Sequence, residues 1–491
     1  MKKIIALLLT ITILLTPLSS MAINIPGYEG GIQNENTYKE VIFVTGKPIV
    51  MEGSLTIKTK GKSKSNTVTE TYTYKLENIK EDAKLSRTIK MTVTLEPTGN
   101  QIASTRTLDS YKETINIGKK RYEAKDEFYQ WNQGTITHQT PLLSYYAGDF
   151  VATKTYKVDK GTENVTVETT GELVGYDSPW SATETQTIDY VINFSDKLKP
   201  DKTWQGTATV EASYNKTKDY SYAENIPWQI SFKGGYRVVE QHDNVLKYNY
   251  DLPKVTEGNN TSKARNYGKD SFSIDTNPII TRLNIPAVRD VLGHQYEEEL
   301  LLLASMDALP LNSTYLGPDS SMSRGDFAKA IVKSMDIPIE KQEETKKKSR
   351  KKQEPTPPLF KDVKRNHRNF DYIEEVGKRG IMVGVDKDNF RPDEPLTRAE
   401  AYAIIIRLLG FQNLAPINKN YNTGYKDDKA IPAWAKDHIY VAKELGMTAK
   451  GDYFYPNREI TKGESAKLLA DFIHYLQIDL KNDYRENVLN N

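Results

Sequence analysis

The chain has 491 residues, with 67 basic against 65 acidic side chains, thirty tyrosines, six histidines and no cysteine. That near balance removes the global field expected of a nucleic-acid binder. The missing cysteine excludes disulfide staples, thiolate metal sites and lipid attachment through a thiol. The length leaves room for two or three domains with full cores.

The first 22 residues read as a secretory signal peptide. Met1-Lys2-Lys3 is basic, Ile4 to Leu15 is nearly all apolar, and Ser20-Met21-Ala22 supplies small residues for cleavage. The apolar run is too short to span a bilayer and nothing like a second run follows, so no membrane span is expected in the mature chain. Residues 23–283 then alternate apolar and polar, as in Ile89, Met91, Val93, Leu95, in Tyr72, Tyr74, Leu76, and in Leu246, Tyr248, Tyr250, Leu252. Turn signals such as Pro97-Thr-Gly-Asn100, Asp159-Lys-Gly161 and Gly234-Gly235 divide these runs. The pattern predicts an antiparallel all-β region, either a sandwich or a large curved sheet. It would form one large domain or two smaller ones divided near Gly148 to Gly161.

Catalytic signatures are missing from this region. There is no G-x-S-x-G elbow, P-loop or G-x-G-x-x-G, and His138 and His242 lack metal-like spacing. No metal site, catalytic residue or cofactor is therefore expected. Asp126, Glu127 and Asp149 are conceivable glycosidase carboxylates, but acids are common throughout the chain. Trp131, Trp180, Trp204 and Trp228 read as core anchors, with a carbohydrate platform as the alternative.

The last two hundred residues contain one unit three times, over 285–340, 359–412 and 423–478, with a tail at 479–491. Each copy carries a hydroxyl residue, a cation, a small residue and an acid in a row: Ser323-Arg324-Gly325-Asp326, Thr397-Arg398-Ala399-Glu400 and Thr461-Lys462-Gly463-Glu464. Six residues before each cation stands a proline (Pro318, Pro392, Pro456), and two residues before that a large apolar residue (Leu316, Phe390, Phe454). A hydroxyl followed three residues later by an acid is a capping box, so Ser323/Asp326, Thr397/Glu400 and Thr461/Glu464 each open a helix. Apolar residues then follow at helical spacing, such as Ile404, Ile405, Leu408 and Leu409. An earlier helix is expected near Tyr296–Met306, Arg368–Arg379 and Trp434–Leu445, and an aspartate opens each copy: Asp290, Asp362, Asp427. A charged, proline-rich stretch at 341–358 reads as a solvated, disordered insertion between the first two copies.

Arg324, Arg398 and Lys462 stand where the helix dipole disfavours a cation by roughly 0.3–1 kcal/mol. Two fates are open to them. They bind an anionic ligand beside the helix amides, or they pair with carboxylates, including those of the next copy.

The run Phe360-Lys-Asp-Val, Gly380-Ile381, Phe390-Arg-Pro392, Leu396-Thr-Arg-Ala-Glu400 resembles an S-layer homology module, and the other two copies are similar to it. The resemblance implies an all-α, pseudo-threefold bundle of three modules. It also implies a secreted protein on the wall of a Gram-positive-type bacterium, held non-covalently by an anionic, often pyruvylated, secondary cell-wall polysaccharide. Further partners would be other S-layer or surface proteins. The motif cation of the family maps onto Arg324 and Arg398, with Lys462 in the third copy. The family's helix-start tryptophan maps onto Trp434, where Tyr296 and Arg368 stand in the other copies; an aromatic ring there could stack on a sugar. The function expected is therefore wall anchoring, with the β region structural, adhesive or ligand-binding and no catalysis. The alternative is a wall-anchored hydrolase of polysaccharide.

Overall fold

A computed structural model of the chain describes residues 30–61, 66–199, 202–224, 234–256, 260–339, 357–418, 420–448 and 451–484. The signal segment, Trp228 and most of the 341–358 insertion lie outside these residues.

The N-terminal region is all β. Among the described residues it forms one antiparallel sheet of fifteen strands. These are β1 (Ile32–Gln33), β2 (Tyr38–Ile42), β3 (Ile49–Gly61), β4 (Thr67–Asn78), β5 (Ala83–Thr98), β6 (Gln101–Ile117), β7 (Lys120–Lys125) and β8 (Tyr129–Gln139). They continue as β9 (Ser144–Val158), β10 (Glu163–Asp177), β11 (Ser181–Asp196), β12 (Trp204–Ala223), β13 (Gly235–Thr256), β14 (Asn260–Ile274) and β15 (Ile279–Asn284). Nearly every strand pairs with its neighbours in sequence, as short turns dictate. Two long strands fork: β6 pairs with β7 at one end and β8 at the other, and β13 does the same with β15 and β14.

The sheet is rolled, so its concave face packs on itself. Phe43, just after β2, packs on Tyr190 of β11 and Tyr248 of β13. The Tyr214 hydroxyl of β12 donates to the Gly31 carbonyl at the other end of the chain path. Alternation sets which residues line this face. In β5 the buried set is Ala83, Leu85, Arg87, Ile89, Met91 and Val93. Arg87 breaks the apolar rule, and its charge is matched inside. It donates to both Glu40 oxygens at 2.8 Å and to Glu113 at 2.9 Å, while Lys154 reaches Glu113 at 3.3 Å. Two cations face two carboxylates, which is the condition for keeping charge in a core.

The C-terminal region is helical: α1 (Glu297–Ser305), α2 (Arg324–Ser334), α3 (Phe370–Lys378), α4 (Arg398–Leu409), α5 (Ala433–Glu444) and α6 (Lys462–His474). Each copy contributes two helices, as its periodicity predicts. They pack between copies: α2 against α3, α4 against α5, and α6 back against α1. No helix among the described residues is long and apolar enough to cross a membrane.

One end of the roll docks on the helices. Leu143, Tyr145, Tyr176 and Trp180 share a continuous apolar core with Phe411, Leu476 and Tyr484. Tyr145 stacks on Phe411 and Tyr484, and the Trp180 indole donates to the Ser334 carbonyl at 3.1 Å. Trp131 and Trp204 are buried within the roll. All three described β-region tryptophans are therefore core anchors rather than an exposed platform.

Candidate functional site

The three helix starts converge. Around a common axis, Met322 donates its amide to the Ile460 carbonyl, Ile460 to Leu396, and Leu396 back to Met322, each at 2.9 Å. Outside that ring, the first amides of each capped helix go to the proline loop of a neighbouring copy. Gly325 donates to Pro392, Ala399 to Pro456 and Gly463 to Pro318. These amides, orphaned by helix geometry, are satisfied by protein and not left for a ligand. The small residue in the motif follows from the approach. A Cβ on Gly325 would lie 3.0 Å from the Pro392 carbonyl, and one on Gly463 would lie 3.0 Å from both His294 and Tyr296.

The motif aspartates hold the loops these amides meet. Asp362 accepts from the Phe390 and Arg391 amides at 2.9 and 2.7 Å. Asp290 does the same for Leu316 and Gly317, and Asp427 for Phe454 and Tyr455. The second residue of each pair is left-handed: Gly317 at φ 67°, Arg391 and Tyr455 at φ 56°. Glycine accepts that geometry freely, and the other two need the carboxylate to hold them there.

The cations take the internal fate. Arg324 is buried, donates to the Phe390 carbonyl at 2.9 Å and pairs with Glu400 at 2.7 Å. Arg398 repeats the arrangement one copy on, with the Phe454 carbonyl at 3.0 Å and Glu464 at 3.3 Å. Lys462 closes the cycle on the Leu316 carbonyl at 2.8 Å. Its single ammonium cannot reproduce the two-point contact of a guanidinium.

Glu400 and Glu464 each serve two purposes. One oxygen accepts from the amide of the helix's own cap residue, Thr397 or Thr461, closing the box expected from sequence, and the other takes the arginine of the preceding copy. The first copy departs from the expectation. Ser323 caps the Asp326 amide at 3.1 Å, but Asp326 is a methylene too short to reach back. Its carboxylate instead accepts from Arg368 and Asn369 of the next copy, both at 2.8 Å.

The aromatic positions aligned in sequence fall at different places. Tyr296 caps α1, Arg368 precedes the α3 cap Asn369, and Trp434 is the second residue of α5. Trp434 is 54% exposed, whereas Tyr296 packs over Gly463 at the start of α6.

Sequence reasoning found Arg398 but missed the groove it lines. A groove of about 310 Å³ lies between the second and third copies, lined by Arg398, Tyr453, Phe454, Tyr455, Arg458 and Glu464 among others. Phe454 points into the core, so the residues on either side point out. Tyr453 and Tyr455 are 48% and 55% exposed, with rings 5.6 Å apart and nearly parallel. The alternation Tyr-Phe-Tyr beside the repeat proline was the available signal. Arg458 bonds Glu464, so two guanidiniums share one carboxylate, while Asp452, also on the lining, pairs with Lys426. Burial alone would raise the Glu464 carboxyl, yet the bonds from Arg458 and the Thr461 amide hold it below its ordinary range. The corresponding loop of the second copy has Asn389, Arg391 and Glu394, and that of the first has Tyr315, Gly317 and Ser320.

In the β region, Asp126 and Glu127 lie exposed on a turn and Asp149 exposed on β9. His138 meets Asn100, and His242 meets Glu240. Among the described residues no cluster of acids and histidines could hold a metal.

Comparison with known proteins bears on the helical copies. Residues 359–401 and 424–466 match the S-layer homology domain. Similar proteins include the S-layer protein EA1 of Bacillus anthracis, 25% identical over 181 residues, which are 36% of this chain and 19% of that protein. The exoglucanase XynX of Acetivibrio thermocellus is 26% identical over 183 residues, 37% of this chain and 16% of that protein. The endoglucanase of Bacillus sp. (strain KSM-635) is 32% identical over 123 residues, 25% of this chain and 12% of that protein. The chain thus spans less than a fifth of these relatives. Two S-layer homology domains and S-layer relatives mark the chain as a cell-surface, wall-associated protein.

Proposed function

We propose that this is a secreted protein tethered non-covalently to the wall of a Gram-positive-type bacterium by three S-layer homology modules in a pseudo-threefold bundle. The first module, 285–340, lies outside the family match. Its inclusion is supported by the ring of amides through Met322, Leu396 and Ile460, and by the matching aspartate clamps. The ligand is an acidic residue of a secondary cell-wall polysaccharide, seated in the groove between the second and third modules. The observation that carries this reading is the parallel Tyr453/Tyr455 pair beside Arg458 and Arg398. Aromatic faces stack on sugar rings, and a half-exposed guanidinium beside them takes a carboxylate. The β region is the displayed part, structural, adhesive or ligand-binding. Relatives named as glucanases keep a wall-anchored hydrolase as the alternative.

Co-sedimentation of the full chain with isolated walls tests this. Binding is expected to disappear when the secondary polysaccharide is stripped from the wall. Tyr455→Ala and Arg458→Ala should each weaken binding by roughly tenfold or more, the loss of one anchoring contact, with unchanged melting temperature. Equal pelleting with stripped walls would overturn the anchoring mechanism.

A further inference from the structure

We propose that Lys216 and Asp177 become joined by an intramolecular amide bond that staples β10 to β12 across β11. Strand register puts the two side chains in one row. Asp177 pairs with Ala182, Ala182 with Lys216, and Lys216 with His242. All four therefore face the concave side of the sheet, since direct cross-strand partners share a face. The residue between them is alanine, 4% exposed, and its methyl leaves the lysine free to pass over β11. The Lys216 ammonium stands 2.9 Å from Asp177 Oδ1 and 2.9 Å from the Ser178 carbonyl, which fixes the nitrogen against the carboxyl.

The pair is largely withdrawn from solvent. Lys216 is only 9% exposed. Burial pushes the Asp177 carboxyl above its ordinary value, against the pull of Lys216, and the charge of Glu240 on β13 pushes the same way. A proton passing from the ammonium to the carboxylate leaves a free amine beside a neutral acid, an electrophile and a nucleophile in van der Waals reach. The groups facing this pair are Glu240, His242 and Lys218. Glu240 bonds His242 at 3.0 Å, which keeps its carboxyl below the ordinary range and available as a base.

The step balances without any co-reactant. The Lys216 nitrogen attacks the Asp177 carbonyl carbon and forms a C–N bond. Glu240 takes the proton from nitrogen and returns it to the departing hydroxyl, which leaves as water. Held within bonding distance, the two groups react as one molecule, where effective concentrations reach about 10⁵ M and above. The product is one amide and one water, with no change in redox state.

Mass spectrometry of the full chain, unfolded and digested, tests the proposal. A branched peptide joining the Lys216 and Asp177 segments is expected, lighter by one water than their sum. Asp177→Asn is expected to give the same branched peptide with loss of ammonia in place of water. Lys216→Arg is expected to give only linear peptides, and Glu240→Gln to slow the appearance of the branch in freshly refolded protein at least tenfold. Linear peptides carrying Lys216 and Asp177 from folded parent protein, with no branched form, would overturn the staple and leave an ordinary ion pair. So would a water loss that persists in Lys216→Arg.

Discussion

At the scale of single residues, the arginines of the repeats show how one motif can serve structure and recognition at neighbouring positions. Arg324 and Arg398 clamp one copy to the next through a carbonyl and a carboxylate, while Arg458, six residues before a helix acid, stays half exposed in the groove. Removing a buried charged hydrogen-bond partner costs on the order of 2–3 kcal/mol. Arg324→Ala is therefore expected to lower the unfolding free energy measured in urea by that much, leaving its wall binding per folded molecule unaltered. Arg458→Ala should do the reverse. Buried carboxylates in the roll set the pH response. Burial pushes Glu184 up from the ordinary 4.5 to about 7, opposed by bonds from Tyr146 and Gln186. A raised folded-state value means the folded chain holds a proton that the unfolded chain has lost, so stability falls as pH rises from about 4.5 to 7. Glu184→Gln removes this penalty. Its stability relative to the parent should rise across that window by about 3 kcal/mol at most, from the linkage of 1.36 kcal/mol per unit. Urea titrations at several pH values would check it. Glu113 has the opposite sign. Burial would raise its carboxyl, but Arg87 and Lys154 hold it down at about 2, so its contribution is lost as pH falls from 4.5 toward 2.

At the scale of elements, the aspartate clamp explains why each copy begins with an acid, which holds a proline loop 26 to 28 residues further on. The carboxylate accepts two consecutive amides and thereby fixes a left-handed residue in the loop that receives the helix start of a neighbouring copy. Asp362→Ala should release both amides and the strained Arg391 together. The expected cost is about 2–4 kcal/mol, two charge-assisted bonds, with loss of the Gly325–Pro392 contact visible as faster amide exchange at Gly325. An unchanged exchange rate would refute the clamp. The helices themselves were legible in the sequence because caps and period are local. The half-closed box at Ser323 was not, since Asp326 has the right chemistry and the wrong length, and only the neighbouring Arg368 and Asn369 reveal where it goes instead.

At the scale of the whole molecule, sheet and helices are not beads on a string. Trp180 sits 3% exposed in the helical core and Tyr145 is sandwiched between Phe411 and Tyr484. A truncated chain of residues 285–491 would expose that face. It is expected to melt below the full chain or to aggregate, whereas the full chain should unfold its helices and docked strands in one calorimetric transition. Trp180→Ala should cost about 3–5 kcal/mol, as large core truncations do. A truncated form as stable as the parent would show the docking to be without energetic weight.

The alternating runs of residues 23–283 and the thrice-repeated capping motif were enough to assign an all-β region, a helical region and the start of each long helix. These features depend on neighbours a few residues away, where backbone geometry dictates the pattern. Whether the strands make one rolled sheet, which copy receives each arginine, and which tyrosines face water depend on groups 40 to 300 residues apart. Those were decided by packing. Burial forces every cation and helix amide to find a partner, and only in three dimensions is it visible that Arg324 and Arg398 have found theirs inside, while Tyr453, Tyr455 and Arg458 remain open to a ligand.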